Sequence, residues 1–244
     1  MFKSKLVRIV GLSWFIVGIS FLLWLYISYK ASGFNPSVLE PSPTVNVVKF
    51  DNRLEFEPVK KAGKIFVFFP GALVDPYAYA PMCHKIAEAG FKAVIVFMPY
   101  RLAQFGYNKP SATALFSDTS KQYFLSGHSK GAAIATRFIH EKIAKISGLI
   151  LMGTTHPVSF DLSDLKIPVM KIYGLNDGVA TPGKVESNKN KLPEKTIFVP
   201  IAGGNHSQFA YYGFQLGDKK AGISRDEQQR IIVSNVINFM KSNN

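Results

Sequence analysis

Ser129 stands in Gly127-His128-Ser129-Lys130-Gly131, a serine with a glycine two positions away on each side. A serine hydroxyl is a poor nucleophile until a base removes its proton and a carboxylate orients that base. Both partner types occur downstream. Asp177 lies in KIYGLNDGVATP and His206 in IAGGNHSQF, each in a loop that follows an apolar run. The chain order is Ser129, Asp177, His206, and the chemistry such a set performs is acyl transfer through a covalent acyl-enzyme. The rival base is His156, in GTTHPVSF, which also suits the wall of a substrate pocket; the rival acid is Asp118, which precedes the nucleophile strand. Ser129 has a plainer reading as a helix N-cap, and Asp177 as a turn former.

The elements around the serine decide between those readings. Apolar YFLS precedes it and helix-forming KGAAIATRFIH follows, so a strand, a sharp turn and a helix are expected in succession. Side chains two residues either side of the serine would collide with such a turn, which accounts for Gly127 and Gly131. An oxyanion formed there needs two backbone N–H donors. Lys130, next after the serine, supplies one. The other is expected from FFPGALVDP, at Ala72, with Leu73 as the alternative and a further pocket residue.

Strand-like and helix-like segments alternate through the body. VNVVKF and RLEFEPV, joined at Asp51-Asn52, read as an antiparallel hairpin. KIFVFF (64–69) and KAVIVFM (92–98) are continuous apolar runs, as in strands buried on both faces. Further strands are expected at 122–126, 146–152, 168–173 and 196–200, with helices at 76–89, 130–143, 182–189 and 226–240. This alternation predicts an α/β fold: a mostly parallel sheet flanked by helices, with sites at the C-terminal ends of the strands and no large cap domain. Cys83 is expected as a small buried residue, His84 and His140 as partly exposed helical residues, and His128 as packed against a neighbouring strand.

Ahead of the body, Ile9 to Ile27 form an uncharged run of 19 residues. As a helix it would reach roughly 28 Å, close to the hydrocarbon thickness of a bilayer. Lys3, Lys5 and Arg8 precede it, and Trp24, Tyr26 and Tyr29 gather at its far end. That pattern orients the start toward the cytoplasm and the body outside. The expected organisation is an N-terminal signal-anchor segment (1–30), a Pro- and Ser-rich linker (31–44) and a catalytic domain (45–244). The expected location is the cell membrane, single-pass, and secretion after signal cleavage is the alternative.

The chain has 244 residues, 47% of them hydrophobic, and a net charge of +13. The basic residues are scattered, without an arginine-rich helix or a nucleic-acid motif, so no nucleic-acid partner is expected. A single cysteine allows neither an internal disulfide nor a paired-cysteine zinc site, and His-Glu-x-x-His and phosphate-loop spacings are missing from the sequence. No metal and no cofactor are expected. Oligomeric state is not legible.

PGALVDPYAY, GHSKGA, YGLNDG and GGNHSQFAYYGFQLGD, in that order, resemble the α/β-hydrolase superfamily, and more narrowly a bacterial membrane-anchored branch related to dienelactone hydrolases and small carboxylesterases. The resemblance covers about Lys49 to the C-terminus. It implies Ser129 as nucleophile, Asp177 as acid and His206 as base. Many superfamily members carry His-Gly at the oxyanion loop, where this chain has Pro70-Gly71. The expected activity is a serine hydrolase of carboxylesterase type, cleaving a small or polymer-linked ester (or a thioester or amide). Acyl transfer onto envelope components, or a silent binding protein on the same fold, are the alternatives.

Overall fold

A computed structural model describes residues 2–60 and 62–243. The hairpin forms as expected, from β1 (Val45–Phe50) and β2 (Arg53–Pro58), turning at Asp51-Asn52. The remaining strands are β3 (Lys64–Phe69), β4 (Lys92–Val96), β5 (Gln122–His128), β6 (Gly148–Met152), β7 (Val169–Gly174) and β8 (Ile197–Ile201). They build one eight-stranded sheet in the order β1-β2-β4-β3-β5-β6-β7-β8. Every pairing from β4 to β8 is parallel, and only the hairpin edge is antiparallel.

The two-residue repeat of the strands splits their apolar runs into two cores. Phe66, Phe68, Phe124, Ile150, Met152, Met170 and Ile172 point to one side. There they meet α2 (Ala80–Glu88) and α6 (Arg225–Ser242), through Ile86, Ile232 and Val236 among others. Val67, Phe69, Leu125, Leu149 and Leu151 point to the other, against Ala132, Ala135 and Phe138 of α4 (Lys130–His140). Runs apolar at every position are thus what a doubly covered sheet requires. The short helices α3 (Pro110–Thr113) and α5 (Pro182–Ser187) lie in connections that otherwise hold turns and 3-10 turns, so among the described residues no cap domain stands over the strands' C-terminal edge.

Two helix boundaries and one burial depart from expectation for local reasons. The first helix of the body begins as a 3-10 turn, Pro76–Tyr79, capped by Asp75, and α2 proper starts at Ala80 with Pro81 in its first turn. Helix α4 stops at His140 rather than Ile143, because Lys142 turns left-handed (φ 52°) and the Ile143 N–H closes back on the Phe138 carbonyl. His84, expected partly exposed, is buried: its Nδ1–H donates to the Val38 carbonyl at 2.9 Å.

That carbonyl belongs to the Pro/Ser-rich segment expected as a linker. The segment lies along the body. Asn35 caps a 3-10 turn at Pro36–Leu39, and Phe34 packs edge-on against Tyr211. Before it, α1 spans Phe2–Ser28. Its stretch Lys5–Ser28, with mean hydropathy 2.2, is long and apolar enough to cross a membrane, and residues 5–24 are exposed.

Candidate active site

Strand β5 ends at His128 and α4 begins at Lys130, so Ser129 must turn the chain alone. It does so at φ 53° and ψ −119°, a conformation an L-residue rarely adopts. Its N–H donates to the Met152 carbonyl at 2.9 Å, which locks the turn to β6. Its side chain makes no capping bond to the helix it precedes, which removes the plainer N-cap reading. A Cβ on Gly127 would lie 2.6 Å from the Ala132 nitrogen, and one on Gly131 only 2.0 Å from the Phe69 carbonyl oxygen. The two glycines are therefore steric requirements of this turn, as the spacing predicts.

Asp177 follows β7 and His206 follows β8, and the structure brings the two together. His206 Nδ1–H donates to Asp177 Oδ2 at 2.8 Å, with both side chains fully buried. The other carboxylate oxygen accepts the N–H groups of Val179 and Ala180, at 2.8 and 2.6 Å. A buried carboxylate so surrounded is held in place and can act only on the ring it faces. With Nδ1 fixed as donor, Nε2 carries the lone pair; it is buried and has no hydrogen-bond partner among the described residues, Ser129 Oγ included. The ring of His128, the residue before Ser129, lies 4.6 Å from the ring of His206. The free acceptor of the base and the strained serine thus share one edge of the sheet.

The rivals do not join this pair. Asp118 is exposed and accepts from Ser120. His156 is half-buried, its Nδ1 3.3 Å from Thr154 Oγ1 and its carbonyl bound by Lys171 Nζ. Burial first, then the charges of Lys130 and Lys171, hold His156 below its ordinary pKa.

The two candidates for the second oxyanion donor are distinguished by their bonds. The Leu73 N–H is engaged with the Arg101 carbonyl at 2.8 Å, and the Gly71 N–H with Tyr79 Oη at 3.0 Å. Ala72, between them, has no such engagement among the described residues. Lys130 heads α4, where first-turn N–H groups lack helical partners, and its side chain is exposed.

Several supporting residues were not anticipated. Tyr79 Oη, which accepts from Gly71, also bonds His128 Nδ1 at 2.9 Å, so one buried phenol ties the oxyanion loop to the nucleophile strand. Burial, with His206 alongside, pushes the His128 pKa well down. His128 also stacks on Phe209, 5.2 Å away. Asp218 accepts from the N–H groups of Gly178, His206 and Ser207 and from the Ser207 hydroxyl, stapling the acid loop to the base loop. Gln228 of α6 exchanges two hydrogen bonds with the backbone of Asn205. Tyr79, Phe209 and Asp218 fall inside the recognised motifs, but their partners there were not legible, and Gln228 stands outside every motif.

A cavity of about 810 Å³ lies away from these residues, between the 37–43 segment, α2 and α6. Among the described residues no cluster of three or more His, Cys, Asp or Glu converges as metal ligands.

A family model described as alpha/beta hydrolase family matches residues 65–230, from β3 into α6. The chain belongs to that family. Several solved α/β-hydrolase structures share its fold. A soluble variant of monoglyceride lipase from Saccharomyces cerevisiae superposes with a TM-score of 0.60 at 11% identity, covering 87% of this chain and 100% of that one. An alpha-beta serine hydrolase homologue from Coxiella burnetii gives 0.54 at 14% identity, over 80% and 98%. Esterase 2 of Thermogutta terrifontis gives 0.53 at 15%, over 82% and 96%. No curated protein sequence matches the chain.

Proposed function

We propose that this α/β-hydrolase is a membrane-anchored serine hydrolase that cleaves carboxylic esters through Ser129, His206 and Asp177. The observation that carries the reading is the buried Asp177–His206 pair at 2.8 Å, its free Nε2 on the edge where Ser129 is strained into the turn. In this reading His206 Nε2 takes the Ser129 proton as Oγ bonds to the ester carbon. The backbone N–H groups of Ala72 and Lys130 hold the oxyanion, each donor contributing about 3 kcal/mol in comparable sites. His206 then passes the proton to the departing alcohol, and a water activated by the same nitrogen releases the acid. No step needs a cofactor.

The esterase and lipase character of structural relatives supports this chemistry. The location in this reading rests on the charges at the start of α1: Lys3, Lys5 and Arg8 favour a cytoplasmic start and a body outside the membrane. The narrower kinship with membrane-anchored, dienelactone-hydrolase-like enzymes belongs to the same proposal.

The test is fluorophosphonate labelling and p-nitrophenyl acetate turnover by the full-length protein in detergent, beside Ser129→Ala. Labelling and turnover that both vanish in the variant are the expected result. A folded wild-type protein that neither labels nor turns over the ester overturns the proposal.

A further inference from the structure

The last turn of α1 grips the loops that frame the candidate site. The Ser28 carbonyl accepts the Gly213 N–H at 2.8 Å, and the Ser28 hydroxyl donates to the Phe214 carbonyl at 3.1 Å. The Tyr29 carbonyl accepts the Asp75 N–H at 2.9 Å, and the Arg101 guanidinium lies 5.4 Å from the centre of the Tyr26 ring. A Cβ on Gly213 would stand 2.7 Å from the Ser28 carbonyl oxygen, so the contact is backbone on backbone. No spacer separates the end of the helix from the body. If α1 spans a bilayer, the loops at 73–75, 100–101 and 211–214 are fixed at its surface.

Those loops carry apolar side chains that the fold does not use. Phe214 and Leu216 are 52% and 64% exposed, in the loop that follows His206. Tyr100 is 83% exposed and Phe105 50%, in the loop after β4, the two rings meeting edge-on at 6.3 Å. Tyr100 also holds φ at 54°, a costly conformation for an aromatic residue with no compensating burial. All four leave the strands' C-terminal edge, the edge of Ser129. Exposed Lys30, Lys219 and Lys220 flank them. Nearby acids are already engaged: Asp218 by the backbone bonds described above, and Asp75 by Arg101 at 3.4 Å. Aromatic and aliphatic tips beside free lysines are the composition that settles into an anionic membrane interface.

We infer that the rim formed by Tyr100, Phe105, Phe214 and Leu216 is seated in the surface of the bilayer that α1 spans, so that the site takes acyl esters dissolved in that bilayer. The inference rests on the proposed ester hydrolase and its membrane anchor, and adds the lipid surface as partner and lipid-borne esters as substrate class. A rigid helix exit makes the seat permanent: the esters reach Ser129 without leaving the membrane.

Two readouts on the full-length protein in phosphatidylglycerol–phosphatidylethanolamine vesicles test it. First, a fluorophore is placed at Leu216→Cys or, as control on the opposite edge, at Lys195→Cys, each in a Cys83→Ala background. Quenching by lipids spin-labelled near the headgroup is expected at position 216, at least five-fold stronger than at 195. Equal quenching at the two sites overturns the seat. So does disulfide cross-linking between two unlabelled Leu216→Cys chains without quenching of the labelled protein, which would mean a second copy covers the rim. Second, the Phe214→Ser/Leu216→Ser variant should lower the ratio of 4-methylumbelliferyl oleate turnover in vesicles to p-nitrophenyl acetate turnover by at least ten-fold. An unchanged ratio overturns the substrate class. Strong quenching at 216 in a protein that hydrolyses neither ester would sink the hydrolase reading and leave the membrane seat standing.

Discussion

At the residue scale, the arrangement makes Ser129 and Asp177 of the proposed triad fail differently. Ser129→Ala removes the attacking atom and should lower ester turnover by on the order of 10⁴-fold or more without unfolding the protein. Asp177→Asn keeps the volume and loses the acceptor that makes His206 Nδ1 the donor. The ring can then present Nε2–H to the serine, and kcat should fall on the order of 10³–10⁴-fold with KM little changed. A loss shared equally between kcat and KM would argue against a tautomer role. The three residues were legible in the sequence because each is a chemically distinctive type in a loop after an apolar run. The residues that hold them were not. Tyr79 meets His128 across 49 positions, and Gln228 meets Asn205 across 23. Nothing in their own neighbourhoods announces such a contact.

Lys171 is a second such case, hidden because it sits inside a strand that reads as continuous core. It is fully buried in β7, its Nζ donates to the His156 carbonyl, and burial lowers its pKa to about 8, opposed only partly by Glu186. In the unfolded chain the ammonium titrates near 10.4. Between these values the unfolded state binds more protons than the folded one, so stability rises with pH. The cost of the buried charge is fully present below about pH 8 and is relieved as pH rises toward 10.5. Denaturant midpoints measured from pH 7 to 10.5 should therefore climb for the wild type relative to Lys171→Met. Parallel curves would show that the amine is not titrating in this window.

At the scale of elements, the strand–turn–helix around Ser129 tolerates no side chain at its glycines. Gly131→Ala would set a methyl 2.0 Å from the Phe69 carbonyl oxygen, which backbone must move to relieve. The expected cost is roughly 3 kcal/mol, the upper end for overpacking. Gly183 in α5 has open space around its Cβ, so Gly183→Ala should instead stabilise, by about 0.5–1 kcal/mol. Thermal melts of the pair, shifting in opposite directions, separate a steric requirement from the ordinary weakness of glycine in a helix. Strand positions were legible because a doubly covered sheet writes itself as unbroken apolar runs. Helix ends were less so: the stop of α4 depends on a left-handed Lys142, a residue with no particular preference for that conformation.

At the scale of the whole molecule, α1 and the body are one piece. The sequence shows a long apolar run followed by a Pro/Ser-rich stretch, and composition alone reads that as anchor and tether. It cannot show that Tyr29, at the junction, is 8% exposed and packs edge-on against Tyr212 at 5.6 Å, within the core that backs the sheet. The junction therefore belongs to the folded domain, and where the helix is removed matters. A protein beginning at Ile27 retains Tyr29 and its bond from the Asp75 N–H. One beginning at Ala31 loses both, exposing Tyr212 and freeing the loop that carries Ala72. The longer protein should be more stable by about 3–5 kcal/mol, the range for deleting a large buried aromatic side chain. Because Asp75 lies three residues from Ala72, the shorter one should also turn over p-nitrophenyl acetate more slowly at a temperature where both are folded. Denaturation curves and rates for the two proteins side by side decide the matter. Equal stability and equal rates would mean that the helix exit merely rests on the body, and that the oxyanion loop keeps its shape without it.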